Sequence, residues 1–236
     1  MYNETLFHGS NRARGEKMIS KQIMEISRGK SHWLGDGSYL FVEDFYSYKW
    51  ILDMFKERHN LPEDYSNVIK HYLILTAKVC TEKSRVFDLT KAEHKMLFDK
   101  VHKELRIRAK IADKDMAEGV VLNYMFNTLN YAKMYDMVRA IFNINEKKYV
   151  GFKTRQGHMP QEQVCIKNQN IVKDVEEYNC KDRVETFEIL INDMYYDKNK
   201  VKPNTYNMNK RNQHYNTKRT NPYTVKVKVK KSNINL

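Results

Sequence analysis

Apolar positions along this chain recur with helical and strand periods in turn. Met18, Ile19, Ile23 and Ile26 fall on one side of a helix over about residues 11–28, which Ser10 can cap and Gly29 can stop. Phe45, Tyr48, Ile51, Leu52 and Phe55 repeat at helical spacing and predict a second helix over about 43–58. The run His71–Val79 is apolar, β-prone and bounded by polar residues, so it predicts a strand, and Arg85–Leu89 predicts a shorter one. Thr90 and Glu93 have the spacing of a capping box, opening a long helix to about Ala109. A further helical segment covers about 115–129. Strands are predicted at Tyr135–Phe142, Tyr149–Phe152 and Glu162–Ile166. Helices come early and in the middle, with strands gathered around and after them. That order predicts an α+β fold rather than a regular βα alternation.

Beyond about Lys198 the pattern changes. Asn, Lys, Tyr and Thr dominate, and near the end YTVKVKVKK alternates Val with Lys. A period of two predicts a half-buried strand whose outer face is lined by lysine. The chain therefore divides into a folded body, 1–197, and a basic C-terminal extension, 198–236, with no internal repeat.

Charge sharpens this division. The 236 residues carry a net charge of +13. Residues 198–236 hold 11 Lys and Arg and no Asp or Glu, while the body holds 31 basic against 29 acidic residues. A neutral body with a polycationic tail favours an anionic partner, nucleic acid above all, through counterion release. The rest of the composition mainly excludes. No apolar run approaches the roughly 20 residues of a membrane helix. The N-terminus lacks a basic region followed by an apolar stretch, so a cytoplasmic protein with no membrane partner is expected. The three cysteines and eight histidines have no metal-like or redox-like spacing, so no metal is expected.

Three separated segments carry the chemistry. His8-Gly9-Ser10 lies in the first apolar segment, Gly35-Asp36-Gly37-Ser38-Tyr39-Leu40 follows the first helix, and Glu162-Gln163-Val164-Cys165-Ile166 leads to Gln169 and Ile171. Taken singly, His8 reads as a satisfied core histidine, Tyr39 and Trp50 as core aromatics, and Glu162 as a solvated strand residue. Jointly and in this order, over about residues 5–172, they resemble the ADP-ribosyltransferases of the diphtheria-toxin and poly(ADP-ribose)-polymerase type. The resemblance implies a split mixed or antiparallel sheet with flanking helices, and an enzyme that uses NAD as co-substrate.

It also implies roles. His8, Tyr39 and Glu162 would form the catalytic set, with Gly9, Ser10 and Trp50 completing the NAD site. His8 would bond a ribose hydroxyl of the adenosine half, and Gly9 would present backbone groups to the nicotinamide amide. Tyr39 and Trp50 would sandwich the nicotinamide ring. Glu162 would bind the ribose 2′-hydroxyl and stabilise the positive charge that grows as the glycosidic bond breaks. The loop before the glutamate faces the acceptor in this family. Here it carries Lys153, Arg155, His158 and Gln161, a basic set suited to a phosphate-bearing acceptor. Tyr, Arg, Lys and His also interleave in the extension, as single-stranded RNA would require. The expected activity is thus ADP-ribose transfer to nucleic acid, RNA first, in the manner of small toxins or phage-defence effectors with an antitoxin or inhibitor partner. A protein side chain as acceptor, and a basic nucleic-acid-binding protein without catalysis, are the alternatives.

Overall fold

The computed structural model describes residues 1–29, 32–110, 116–143 and 160–195. Among these residues, seven strands alternate irregularly with six helices. The strands are β1 (Tyr2–Asn11), β2 (Ser38–Phe41), β3 (Tyr72–Thr81), β4 (Val86–Asp88), β5 (Met137–Asn143), β6 (Pro160–Ile166) and β7 (Val172–Tyr178). The helices are α1 (Arg12–Lys21), α2 (Asp44–Arg58), α3 (Tyr65–His71), α4 (Ala92–Ala109), α5 (Glu118–Asn127) and α6 (Val184–Tyr195). The strands form one sheet in the order β4-β5-β6-β2-β1-β3-β7. Only β4 and β5 run parallel. The α+β class and the split mixed sheet expected from the sequence are both present.

The split lies between β1 and β2. All ten residues of β1 pair with β3, and all four of β2 pair with β6, but β1 and β2 share a single pair, Phe7 with Phe41. This seam divides the sheet into the halves β4-β5-β6-β2 and β1-β3-β7. The halves curl toward one another. Thr81 Oγ1 at the end of β3 donates to Asp136 Oδ2, just before β5, at 2.6 Å. Three strands separate β3 from β5 in the sheet order, so a flat sheet at about 4.8 Å per strand would hold them roughly 19 Å apart. One hydrophobic cluster accordingly joins Leu75 and Val79 of one half to Met137, Val164 and Ile166 of the other, with Met18 and Met24 closing its end. A second cluster seats α2, α3 and α6 on the outer face of the β1-β3-β7 half through Phe45, Tyr48, Phe55, Val68 and Phe187. A third seats α4 and α5 on the other half through Phe98, Val121, Leu122 and Met125.

Several local expectations are corrected. Helix α1 stops at Lys21, not near Gly29, because Gln22 turns left-handed (φ 52°). Its side chain is drawn off to the backbone of Val175, donating to the carbonyl and accepting from the N–H. Asn11 rather than Ser10 caps this helix, accepting from Arg14 N–H at 3.0 Å, while Ser10 is buried in β1. The Thr90–Glu93 capping box does not form. Thr90 bonds Asp88 through both its N–H and its hydroxyl, and α4 starts after Lys91. Helices α3 and α6 and strand β7 are additions to the sequence reading. The expected strands at Tyr149–Phe152 and in the C-terminal extension lie outside the described residues. Among those described, no helix is long and apolar enough to cross a membrane.

Asp136 is almost fully enclosed, and its carboxylate is satisfied by Thr81, by two guanidinium bonds from Arg85 (2.7 and 2.8 Å) and by Asn168 Nδ2 (2.9 Å). Arg85 chiefly, with Asn168 and Thr81 against the cost of burial, pushes its pKa down to about 2. Its contribution is therefore present above the ordinary carboxylate pKa and is lost as pH falls toward and through about 2. Asp136→Asn is expected to cost about 2–4 kcal/mol in urea unfolding at pH 7, with the gap to the parent chain narrowing below pH 4.

Candidate functional site

Strand β1 runs along the seam, and its pleat sends alternate side chains to opposite faces. His8 shares the face of Leu6 and, across the seam, Leu40, while Gly9 lies on the other face. The His8 ring sits half-buried in the seam, with Nδ1–H donating to the Tyr39 carbonyl at 2.6 Å. Burial lowers the His8 pKa, opposed in part by that bond and by the charge of Glu25. At neutral pH the imidazole is thus uncharged with its proton on Nδ1, which leaves Nε2 as an acceptor.

On the opposite face, α2 lies directly over Gly9. A Cβ there would come within 2.8 Å of Trp50 Cε3, 2.9 Å of Ile51 Cγ2 and 2.9 Å of the Ser47 carbonyl. Only glycine permits this approach. Trp50 keeps 37% of its surface exposed, and its nearest ring partner is Tyr72, edge-on at 6.4 Å. Ser47 is fully buried, and its Oγ has no hydrogen-bond partner. An unpaired buried hydroxyl costs free energy, and the backbone carbonyl of the same residue lies against Gly9. Sequence reasoning missed Ser47. Its only signal there is a small polar residue inside the aromatic run FYSYKW.

Tyr39 of β2 lies on the same face as Gly9. Its hydroxyl accepts from Leu34 N–H (2.9 Å) and donates to the Gly35 carbonyl (2.6 Å). Burial foremost, and then Cys165, raise its pKa, so the phenol stays protonated. The loop it grips is fixed by two further side chains. Lys167 Nζ donates to the carbonyls of Leu34 (2.7 Å) and Asp36 (2.5 Å). Asn123 accepts from Asp36 N–H at 2.7 Å. Gly35 takes φ 73°, where a Cβ would strike Asn123 Oδ1 at 2.4 Å. Burial lowers the Lys167 pKa, and its two carbonyl partners and the Phe126 ring at 5.3 Å take the place of water.

Glu162 stands apart from Tyr39. Tyr39 pairs with Cys165, so the residue three positions earlier on the regular strand β6 points to the other face. That is the face of His8, and there the Glu162 carboxylate is bound by Arg139 of β5. Gln161 and Gln163 instead take Tyr39's face, Gln163 paired with Phe41. The seam therefore holds two sets: His8 and Glu162 on one face, and Gly9, Tyr39, Ser47 and Trp50 on the other. A ligand lying through the seam would touch both. Ser10, the next residue of β1, is buried. Lys153, Arg155 and His158 lie outside the described residues. Cys80, Cys165 and Cys180 are unpaired, and among the described residues no three His, Cys, Asp or Glu side chains gather as a metal would require.

The chain is similar to the uncharacterized protein MJ0359 of Methanocaldococcus jannaschii, with 40% identity over 201 residues that cover 78% of this chain and 91% of that protein. No protein-family model matches the chain, and no solved structure matches it.

The close approach of α2 gives a direct test. Gly9→Ala is expected to push Trp50 and α2 outward, costing about 1–3 kcal/mol in denaturant unfolding. Trp50 emission should shift toward the red as the ring gains solvent.

Proposed function

The chain belongs to the same family as the archaeal protein MJ0359, and we propose that it is an ADP-ribosyltransferase that binds NAD across the β1–β2 seam and modifies nucleic acid. The observation that carries this reading is the seam itself: one strand pair, with His8, Gly9, Tyr39 and Trp50 gathered there as the three sequence segments lead one to expect. Ser47, whose carbonyl lies against Gly9, also carries a buried Oγ without a partner, and a carboxamide would supply one.

Each residue then has a physical task. Tyr39 and Trp50 offer ring faces to a planar heterocycle. Gly9 and Ser47 hold its amide and so fix the orientation of the leaving group. His8 Nε2 accepts from a ribose hydroxyl, a role open to it only while neutral. Glu162, on the His8 face, offers negative charge to the sugar carbon as the bond to nicotinamide weakens, and Arg139 holds that carboxylate until a ribose hydroxyl competes for it. NAD supplies the activated glycosidic bond. In the overall exchange that bond breaks, the acceptor forms a new bond to the same carbon and gives up a proton, and nicotinamide leaves neutral. Nucleic acid is favoured as acceptor by the charge distribution, with 11 cationic and no acidic residues beyond Asp197.

Glu162→Gln is the deciding variant. It keeps shape and removes charge, so transfer of labelled ADP-ribose from NAD should fall by a factor of about 100 or more, while NAD affinity changes by less than about threefold. Full transfer by this variant would overturn the role of Glu162. Absence of NAD binding by the parent chain would favour a nucleic-acid-binding protein without catalysis.

A further inference from the structure

We infer that Trp33 is a stacking platform for one base of a single-stranded nucleic acid, set beside the seam so that the acceptor base meets Gln161. The inference rests on the seam being the transfer site, and it assigns the surface where the second substrate lands.

Trp33 is 52% exposed, although the next residue, Leu34, is 1% exposed and bonds the Tyr39 hydroxyl. Isolated exposed apolar residues are common and need no explanation. Trp33 differs in how it is supported. Phe142 of β5 lies against it, with ring centroids 4.8 Å apart and planes inclined at 49°. Behind it, the segment Leu34–Asp36 is pinned by Lys167, Asn123 and the Tyr39 hydroxyl. The indole is thus held before any partner arrives, and the ordering cost of an anchor is already met by folding. A rigid, open π surface of this kind accepts any base, because every base has a π face.

The polar partner is placed by register. Phe142 pairs directly with Gln161 across β5 and β6. Gln161 shares the Tyr39 face, and Gln163 stands two residues further along it. A primary amide offers a donor and an acceptor side by side, which matches the edge of a nucleobase. A base resting on Trp33 would therefore present its edge to Gln161 next to the seam. Charge selects the class of partner: the chain carries +13 overall, which draws a polyanion and repels basic protein surfaces.

The chain contains two tryptophans, Trp33 and Trp50, so each can be observed alone in the full-length protein. In Trp50→Phe, titration with an eight-nucleotide single-stranded RNA should quench Trp33 fluorescence to saturation. The DNA oligomer of the same sequence distinguishes a sugar-blind platform from one that selects RNA, and either result supports the platform. In Trp33→Ala, affinity for the labelled oligomer at fixed salt should fall on the order of tenfold, while NAD still quenches Trp50 as in a Trp33→Phe control. Unchanged oligomer affinity in Trp33→Ala, or no quenching of Trp33 while anisotropy shows the oligomer bound, would overturn the platform. Failure of NAD to perturb Trp50 in the Trp33→Phe protein would instead overturn the seam as the NAD site, so the two failures are separable. A melting curve matching the parent chain is required of each variant, and Trp33→Phe supplies the folded control if Trp33→Ala lacks it.

Discussion

The enclosed carboxylate of Asp136 holds the two halves of the sheet together. It takes bonds from Thr81 at the end of β3, from Arg85 before β4 and from Asn168 after β6. Its own backbone N–H donates to the Arg85 carbonyl, and its carbonyl accepts from Lys167 and Asn168. One residue thus collects the ends of four strands. The closure it enforces brings apolar side chains of both halves into one core, and burial of that surface is the main favourable term. The cost of failure is asymmetric. With Arg85 removed, the buried carboxylate is left without its cation.

Curling the sheet this far leaves a place where neighbouring strands barely pair, and that place is the β1–β2 seam. Strand edges ordinarily need partners for their N–H and C=O groups. Here side chains occupy the gap instead: the His8 imidazole bonds the Tyr39 carbonyl, and α2 presses Trp50 and Ser47 against Gly9. The seam is therefore a break in backbone pairing that side chains fill. Its surroundings are rigid. Lys167, Asn123 and Tyr39 brace the loop before β2, so Trp33 and Tyr39 are presented in fixed positions.

Polar groups are also divided between the two sheet faces. Gln161 and Gln163 face Tyr39, while Glu162 lies between them in sequence and faces His8 and Arg139. A single-residue change of register would exchange these sets. The unbroken pairing of β6 with both β5 and β2 fixes which amides and which carboxylate reach each side.

The sequence by itself determined the elements whose side-chain period is unbroken. Helices α2 and α4 and strands β3, β5 and β6 were legible because their apolar residues recur at 3.6 or cover a β-prone run. It also determined the charge division, and it singled out His8-Gly9, Tyr39 and Trp50, which strand pairing and the approach of α2 gather at the seam. Tertiary structure decided the rest. Strand β7 (VKDVEEY) was hidden because Asp174 takes φ 50° and the register with β3 slips, so Val172 and Val175 are buried three apart instead of two. Helix α3 buries only Val68, too little to print a period on seven residues. Helix α1 ended early because Gln22 satisfies the backbone of β7, a partner 153 residues away. Ser47, the Arg139–Glu162 pair and the Trp33–Phe142 stack were equally invisible. Each depends on which strands become neighbours and which face a side chain takes, and these follow from the curled sheet rather than from local pattern.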